Sequence, residues 1–540
     1  MRSAQLIAFL LAAVLLCTAF AACGGGGDNE SGKTEQNKDT AASAPASEAG
    51  GEAQSGEEDV SQEESLSPEE FYDVYLKNDY EGMTFTILTS DNDVNPASDI
   101  VYNAPDSTSE TLPDAINNAL LERQNALRSY LGVELKEIYF CDPQRRWSNA
   151  LNKVRTAVET GSGEFQAVNI ALYDCGTLSL DGFLYNLYDV PGFDTTHPWW
   201  DQTFNESVEM FGKLYFTNGD IAFRTKNAIT CIIYNRSLCE RLGTEDPVEL
   251  TLNYQWTIDK CVEISRNLYE DTNTDGIDYL DKIGWAGQYD DMALMLYGSG
   301  VRMLGADKQG NPKLTFYDEH TENTVNKILR FMADSEHYIS GNDLWNKTPW
   351  PNEPMLALLD GFKHGRHIFY AAIVEYIFKL SDMEDDFAIV PAPMYDENQH
   401  EYYSLINSFG ANAIAVAQNV DPGQLEFVGR VLDTLGYFSW SRYPGSLSFN
   451  YYDVVLKNQK LTTEESEKMI DIIFNTAGCE TGAIYQIGKI GGSGPNIYDM
   501  IIELMSAKRT EGLSALYDAN ADRFQQSLDN IIETFNSNGG

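Results

Sequence analysis

The sequence has few cysteines, and none of them is arranged as a CxxC pair. Eight cysteines occur in 540 residues, and six of them lie beyond residue 23. A chain of this length can bury a core of its own, so a disulfide scaffold is excluded. We expect most of these cysteines to be small buried hydrophobic residues, and the sequence identifies no particular bridge.

Basic residues are also scarce. The chain has 37 Lys and Arg against 82 Asp and Glu, a formal net charge of −45. Nucleic-acid binding and attraction to anionic lipid both depend on basic surface. The composition therefore argues against either kind of partner.

Common catalytic motifs are missing as well. The sequence contains no Gly-x-Ser-x-Gly elbow, no HExxH helix and no P-loop, since Gly488-Lys489 lacks the Ser or Thr that should follow. His364 and His367 form an isolated HxxH, which we interpret as a polar strand edge. We predict that the protein is not an enzyme and has no catalytic cofactor; a secreted carbohydrate-active enzyme is the alternative.

The amino terminus has a short apolar run, Leu6 to Leu16, after Arg2. Its 11 residues fall short of the roughly 20 that span a bilayer, so residues 1–22 are predicted to be a signal peptide. The segment Phe20-Ala21-Ala22-Cys23 resembles the bacterial lipobox, which implies that Cys23 carries diacylglycerol. We therefore expect a lipid-anchored protein on the extracellular face of the cell membrane.

Residues 23–66 form an acidic segment with almost no large apolar side chain. Between Gly24 and Leu66 it has 11 acidic residues against Lys33 and Lys38. Such a segment cannot bury enough surface to offset its ordering entropy. We predict a disordered tether that holds the folded part away from the membrane.

Apolar strands alternate with helical patterns after the tether. Strands are predicted over 83–90, 133–140 and 167–173, with helices over 115–130 and 147–159 between them. This alternation is typical of a parallel sheet covered on both faces, so the fold class is α/β. It resumes later with strands near 229–234, 367–373, 387–391 and 411–418 and helices near 256–268, 320–332 and 424–440, and a capping box at Thr462 opens a helical C-terminal region. About 470 ordered residues are too many for one sheet, so we expect two lobes.

Two segments resemble the large extracellular solute-binding proteins of ABC importers, the maltose-binding-like group. One is residues 212–221 with 232–238 and the Trp256-Thr257-Ile258-Asp259 helix start, similar to the crossover into the second lobe. The other is residues 387–393 with 403–416, similar to the return crossover.

The resemblance implies a two-lobed, type II periplasmic-binding-protein-like fold, in which each lobe is a mixed sheet flanked by helices and the cleft between them holds the ligand. Lobe one would be 83–219 plus 393–440, and lobe two 222–390 plus 450–540. The implied function is capture of a small solute, most often a sugar or oligosaccharide, for the permease subunits of an ABC transporter. The resemblance also implies a monomer. A non-transporting lipoprotein that senses a ligand remains an alternative.

Sugar sites combine aromatic platforms with polar groups, and ligands of α/β sheets bind beyond the carboxyl ends of strands. The adjacent Trp199 and Trp200 lie in a polar loop and cannot both face one core, so we expect one to stack on ligand. Trp285, Trp345, Trp350 and Trp440 are weaker candidates, because a large aromatic side chain lies more often in the core than in a cleft, and Trp285 is kept among the predicted ligand-binding residues. Polar candidates follow strands or crossovers, with turn capping as the alternative: Asp91, Asp174, Asn218, Asp220, Asn407 and Ser408.

Residues 271–277 match the first seven positions of a calcium loop. Asp271, Asn273 and Asp275 would offer side-chain oxygens, and Ile277 its carbonyl. Lys282 stands where the loop normally has a bidentate Glu, and Asp281 is the candidate to replace it. The sequence leaves two interpretations open, structural calcium and a solvated turn.

Overall fold

The computed structural model describes residues 79–91, 98–103, 112–141, 149–274, 276–308, 310–350, 353–440, 444–461 and 463–537. The predicted signal peptide, Cys23 and the acidic tether lie outside these residues. The side chains of residues 91, 141, 149 and 459 are also outside the description.

The described residues form short and medium-length strands, which we number in chain order. They are β1 (Thr84–Asp91), β2 (Glu134–Cys141), β3 (Ala167–Ala171), β4 (Thr230–Asn235), β5 (Tyr269–Glu270), β6 (Lys282–Ile283), β7 (Trp285–Gly287), β8 (Leu304–Ala306), β9 (Pro312–Leu314), β10 (Tyr338–Ser340), β11 (Phe369–Ile373), β12 (Phe387–Val390), β13 (Ser404–Leu405), β14 (Asn412–Ala415) and β15 (Ala477–Gly478).

Helices connect and cover these strands. They are α1 (Asp114–Leu131), α2 (Asn149–Thr160), α3 (Leu172–Leu180), α4 (Gln202–Val208), α5 (Arg224–Asn227), α6 (Arg236–Leu242), α7 (Pro247–Leu252), α8 (Ile258–Ser265), α9 (Asp291–Gly298), α10 (Glu319–Met332), α11 (Pro354–Lys363), α12 (Leu425–Ser439), α13 (Leu447–Phe449), α14 (Glu464–Asn475), α15 (Thr481–Ile484), α16 (Ile497–Ser506) and α17 (Leu513–Ser537). A π-helix spans Asn450–Lys460, and 3₁₀ turns span Leu187–Asp189, Gly341–Leu344, Val374–Leu380 and Pro422–Gln424.

The first sheet has four strands in the order β14-β3-β1-β2. Strand β1 pairs in parallel with β2 and with β3, and β14 runs antiparallel to β3. Strand β3 is buried along its whole length, as expected for a strand with helices on both faces. Because β14 comes from residues far along the chain, the return segment closes this sheet.

The second sheet has five strands in the order β10-β7-β11-β4-β12. Strands β10, β7 and β11 are mutually parallel, whereas β4 runs antiparallel to both β11 and β12. The carboxyl ends of the three parallel strands therefore meet at one edge, beside the start of β4. The two sheets are built from residues 84–171 with 412–415 and from 230–390, and both are mixed.

The sequence pattern placed most long elements within a few residues of their observed bounds. Two local expectations were wrong. The strand expected through Tyr173 ends at Ala171, and helix α3 starts at Leu172. Thr463, which accepts the Ser466 N–H, is the N-cap of α14, rather than Thr462.

The described cysteines Cys175, Cys231, Cys239, Cys261 and Cys479 are buried free thiols. Their burial agrees with the expected role as small hydrophobic residues. Among the described helices, none is both long and apolar enough to cross a membrane.

Candidate functional site

A cavity of about 350 Å³ opens where the parallel strands of the second sheet end. Its volume lies in the range of small-molecule pockets, roughly 300–1,000 Å³. Residues after β7, β10 and β11 line it, together with the start of α11, Arg224 of α5 and the segment 407–410 that leads into β14 of the first sheet. We call this cavity the cleft pocket.

The turn from β7 into α9 supplies the floor. Gln288, Asp290, Asp291 and Leu294 line the pocket there. The Asp291 carboxylate accepts the Gln288 N–H at 2.8 Å and is 4 % exposed. Burial is the main reason that the pKa of Asp291 rises to about 8, and the neighbouring charge of Asp290 adds to it.

Residues after β10 form one wall. The Asn342 side-chain oxygen accepts the Tyr289 N–H at 2.8 Å, and the residue is exposed. Trp345 follows the 3₁₀ turn and lines the pocket with half of its surface exposed, 50 %. An exposed indole beside amide and carboxylate groups is a platform on which the apolar face of a sugar ring can stack.

The opposite wall comes from β11 and the return segment. Glu375 and Tyr376 lie just after β11, and Lys379 pairs with Glu375 at 3.4 Å. Phe409 and Asn407 come from the return segment, where the Asn407 side-chain oxygen accepts the Phe409 N–H at 2.9 Å. The lining of the pocket thus combines aromatic rings with hydrogen-bonding groups.

Arg224 connects the pocket to the first sheet. Its backbone N–H donates to the Asp99 carboxylate at 2.9 Å, and Asn169 of β3 donates to the same carboxylate at 3.4 Å. Next to it, Thr225 donates to the carbonyl of Asn412 in β14 at 2.6 Å. The cleft pocket therefore lies where the chain passes between the two sheets.

Of the residues predicted to bind ligand, Asn407 lines the cleft pocket. Ser408 is its neighbour and is buried. Asp91 ends β1, and its side chain lies outside the described residues. Asp174 is buried in α3 against the Leu151 backbone, and this burial raises its pKa to about 6; it is not among the residues lining the pocket.

Trp199 and Trp200 lie in the core. They are 4 % and 2 % exposed, and both indoles donate to the Asp433 carboxylate of α12, at 2.8 and 3.1 Å. The expectation that they cannot share one core is wrong, because one buried carboxylate satisfies both N–H groups. Neither ring lines the cleft pocket.

The other three predicted residues have structural partners. The Asn218 carbonyl accepts the Asp201 N–H at 2.9 Å, and the Asp220 carboxylate accepts from Lys226 at 2.7 Å. Trp285 is fully buried in β7, directly below the floor of the pocket. An alanine Cβ at Gly287 would lie 1.8 Å from Asp291 and 3.0 Å from the Trp285 indole nitrogen, which shows how closely floor and indole pack.

The predicted calcium loop is folded around its own carboxylates. Asp271 accepts the Thr274 and Gly276 N–H groups, at 2.7 and 3.2 Å. Asp281 is fully buried and accepts the Thr272 and Asp278 N–H groups, at 2.9 and 2.8 Å. Asp275 lies outside the described residues, and the described contacts of Asn273 and Ile277 assign them no ligand role. Calcium binding by this loop stays a prediction.

Sequence reasoning missed most of the pocket for a physical reason. Strands β7 and β10 have three residues each, too few to show an alternating pattern, so the residues after them gave no signal. Strand β11 was predicted, and applying the carboxyl-end rule there would have found Glu375 and Tyr376. Trp345 was considered only as one of the tryptophans that more often lie in the core than in a cleft.

No family model matches the sequence, and no curated protein matches it either. Solved structures do match. A cyclo/maltodextrin-binding protein in complex with maltotetraose is 12 % identical, with a TM-score of 0.50, covering 85 % of this chain and 98 % of that one.

Two further solved structures are similar. An ABC substrate-binding protein from Listeria monocytogenes in complex with cycloalternan has 13 % identity, a TM-score of 0.49, and coverage of 84 % and 99 %. A maltose/maltodextrin-binding domain from Bdellovibrio bacteriovorus bound to maltotriose has 14 % identity, a TM-score of 0.47, and coverage of 84 % and 100 %. The match to the cyclo/maltodextrin-binding protein agrees with the two mixed sheets and their covering helices. The chain therefore has the two-lobed α/β fold of a maltodextrin-binding protein.

Proposed function

We propose that this protein is a non-enzymatic receptor that captures a small solute, a saccharide, in the cleft pocket and delivers it to the permease subunits of an ABC transporter. We further propose that Cys23 carries the lipid that holds the receptor on the extracellular face of the cell membrane. The fold supports the first proposal, and the lipobox-like sequence supports the second.

One observation carries the saccharide proposal. The half-exposed Trp345 lines the same pocket as Asn342 and the carboxyl groups of the floor. Sugars offer an apolar ring face and a rim of hydroxyl groups, so a ring platform flanked by donors and acceptors matches both features. Tyr376 and Phe409 supply further aromatic surface on the other wall.

The matching solved structures support the same class of ligand by analogy. Their complexes contain maltotetraose, cycloalternan and maltotriose. At this low identity the comparison shows the fold alone, so the ligand of this chain needs its own test.

The test is a thermal-shift screen of the Cys23→Ser chain against mono- and oligosaccharides, amino acids and polyamines. A ligand at about 100 times its dissociation constant adds about 2.7 kcal/mol to the free energy of unfolding, which raises the melting temperature measurably. We expect one saccharide class to raise it and to be recovered chemically unaltered. Cleavage of the sugar would instead support the carbohydrate-active enzyme, and absence of any shift would contradict the receptor proposal.

Delivery and anchoring need separate measurements. Pull-down of the native protein from membranes should recover two permease subunits; recovery of the receptor without them would favour the sensing lipoprotein. The native chain, grown with a labelled fatty acid, should take up the label, and the Cys23→Ser chain should not. Equal labelling of the two chains, or no label in either, would refute lipidation at Cys23.

A further inference from the structure

The cleft pocket is rich in carboxyl groups. Asp290, Asp291, Glu353 and Glu375 line it, whereas Arg224 is the cation among its lining residues. Lys379 pairs with Glu375 from outside the lining. The pocket therefore has an excess of negative charge where a solute would enter.

Asp290 is the pocket carboxylate with the fewest stabilising contacts among the described residues. It lies at the start of α9, and its carboxylate makes no capping hydrogen bond to the helix. Its pKa is raised, first by enclosure between the surrounding elements and then by the charge of Asp499. Asp291 is a second acidic neighbour, since the charge of Asp290 helps to raise its pKa.

The acidic charge around Asp290 also reaches Tyr173 at the start of α3, whose pKa is raised by burial and then by the charges of Asp290 and Asp499. After burial, Asp499 is in turn the charge that raises the pKa of Asp290. A cation brought by the solute would supply the missing positive charge.

A second, independent feature of the pocket points to a polar ligand. The Thr230 hydroxyl lines the pocket, its residue is 5 % exposed, and its oxygen has no hydrogen-bond partner among the described residues. A buried hydroxyl without a partner is costly and rare. A hydroxyl or amino group of a bound solute would satisfy it.

We infer that the cleft pocket selects a solute that carries a protonated amine, placed against the Asp290 carboxylate, with Trp345 stacking on the ring that bears it. An amino sugar meets all these contacts. This inference rests on the proposed receptor function and narrows its substrate class. Polyamines carry the same ammonium group as an amino sugar but have no ring. Comparing the two classes of solute therefore shows whether the pocket recognises an amino sugar or a polyamine.

The experiment is isothermal titration of the Cys23→Ser chain at pH 7 with a glucosamine trimer, its N-acetylated trimer, maltotriose and spermidine. We expect the glucosamine trimer to bind at least 10-fold more tightly than the N-acetylated trimer, because acetylation removes the charge but keeps the ring. Raising the salt concentration should weaken this binding, since it depends on charge.

Two variants locate the effect. Asp290→Asn, added to the same chain, should reduce affinity for the glucosamine trimer at least 10-fold. Asp529→Asn, which makes the same charge change on the exposed face of α17 and outside the pocket lining, should leave it unchanged. Spermidine that binds more tightly than the glucosamine trimer would overturn the saccharide part of the inference and identify a polyamine.

The binding measurements distinguish failure of the amine inference from failure of the receptor proposal. If maltotriose or the N-acetylated trimer binds as tightly as the amine and Asp290→Asn has no effect, the amine inference is overturned while the receptor stands. If none of the four solutes binds and the wider screen also gives no shift, both are overturned.

Discussion

The buried carboxylate of Asp433 should be one of the most sensitive positions in the protein. It accepts hydrogen bonds from the Trp199 and Trp200 indoles and lies 2.9 Å from the His197 ring nitrogen. The loop that it holds pairs with the crossover, where the Trp199 carbonyl accepts the Asp220 N–H at 2.8 Å. We therefore predict that Asp433→Ala loosens the attachment of the crossover to α12.

The magnitude follows from the donors left without a partner. Each buried donor that loses its acceptor costs about 1–3 kcal/mol, and breaking a buried charged pair costs about 3–5 kcal/mol. The three donors share one site, so their costs do not add. We expect Asp433→Ala to lower the free energy of unfolding by about 3–5 kcal/mol. Asp433→Asn keeps an oxygen for the indoles and should cost about 1 kcal/mol.

Urea unfolding followed by far-ultraviolet circular dichroism measures this directly without relying on the perturbed tryptophans. Glu426→Ala is the matched control, because Glu426 lies on the same helix with 59 % of its side chain exposed and pairs with Arg430. Its cost should stay within about 0.5 kcal/mol. A loss for Asp433→Ala no larger than that of Glu426→Ala would refute the reasoning.

Three further predictions concern other parts of the chain. The pKa of Asp291 is about 8 against an ordinary value of 3.8, so between these pH values the native state keeps a proton that the unfolded state has lost. The free energy of unfolding therefore falls as pH rises through this range, by at most about 1.4 kcal/mol per pH unit. Asp291→Asn should remove that slope in urea titrations at pH 5.5 and 7.5, and equal slopes would contradict it. Gly436→Ala places a Cβ 2.2 Å from the Trp199 ring. It should lower the free energy of unfolding by about 1–3 kcal/mol, despite the better helix propensity of Ala. Unchanged or raised thermal stability would show that the ring can move aside. Chelation of calcium should lower the melting temperature, and Asp271→Ala should abolish that response; a melting temperature that chelation leaves unchanged would favour the solvated turn.

Long elements were predictable because their sequence periodicity is strong. Strand β1 and helix α1 were expected over 83–90 and 115–130 and are found at Thr84–Asp91 and Asp114–Leu131. The apolar run of the strand and the helical spacing of Ile116, Leu120 and Leu127, all buried in α1, specify these elements locally.

The candidate site was less predictable because its residues come together only through tertiary contacts. Asn407 followed from its position in the predicted return crossover. By contrast, Trp345 lies after β10, whose three residues are stabilised by pairing with β7 rather than by their own pattern. Tryptophan burial is equally a tertiary property, since Asp433 is 233 residues away from Trp200 in sequence yet holds its indole.

The most direct test of the central claim is the affinity of Trp345→Ala for the solute found in the screen. Trp350→Ala is the matched control, because Trp350 is also exposed, at 38 %, but does not line the cleft pocket. We expect at least a 10-fold loss of affinity for Trp345→Ala, with an unchanged melting temperature without solute, and no loss for Trp350→Ala. Wild-type affinity in Trp345→Ala would contradict the assignment of the cleft pocket as the solute-binding site.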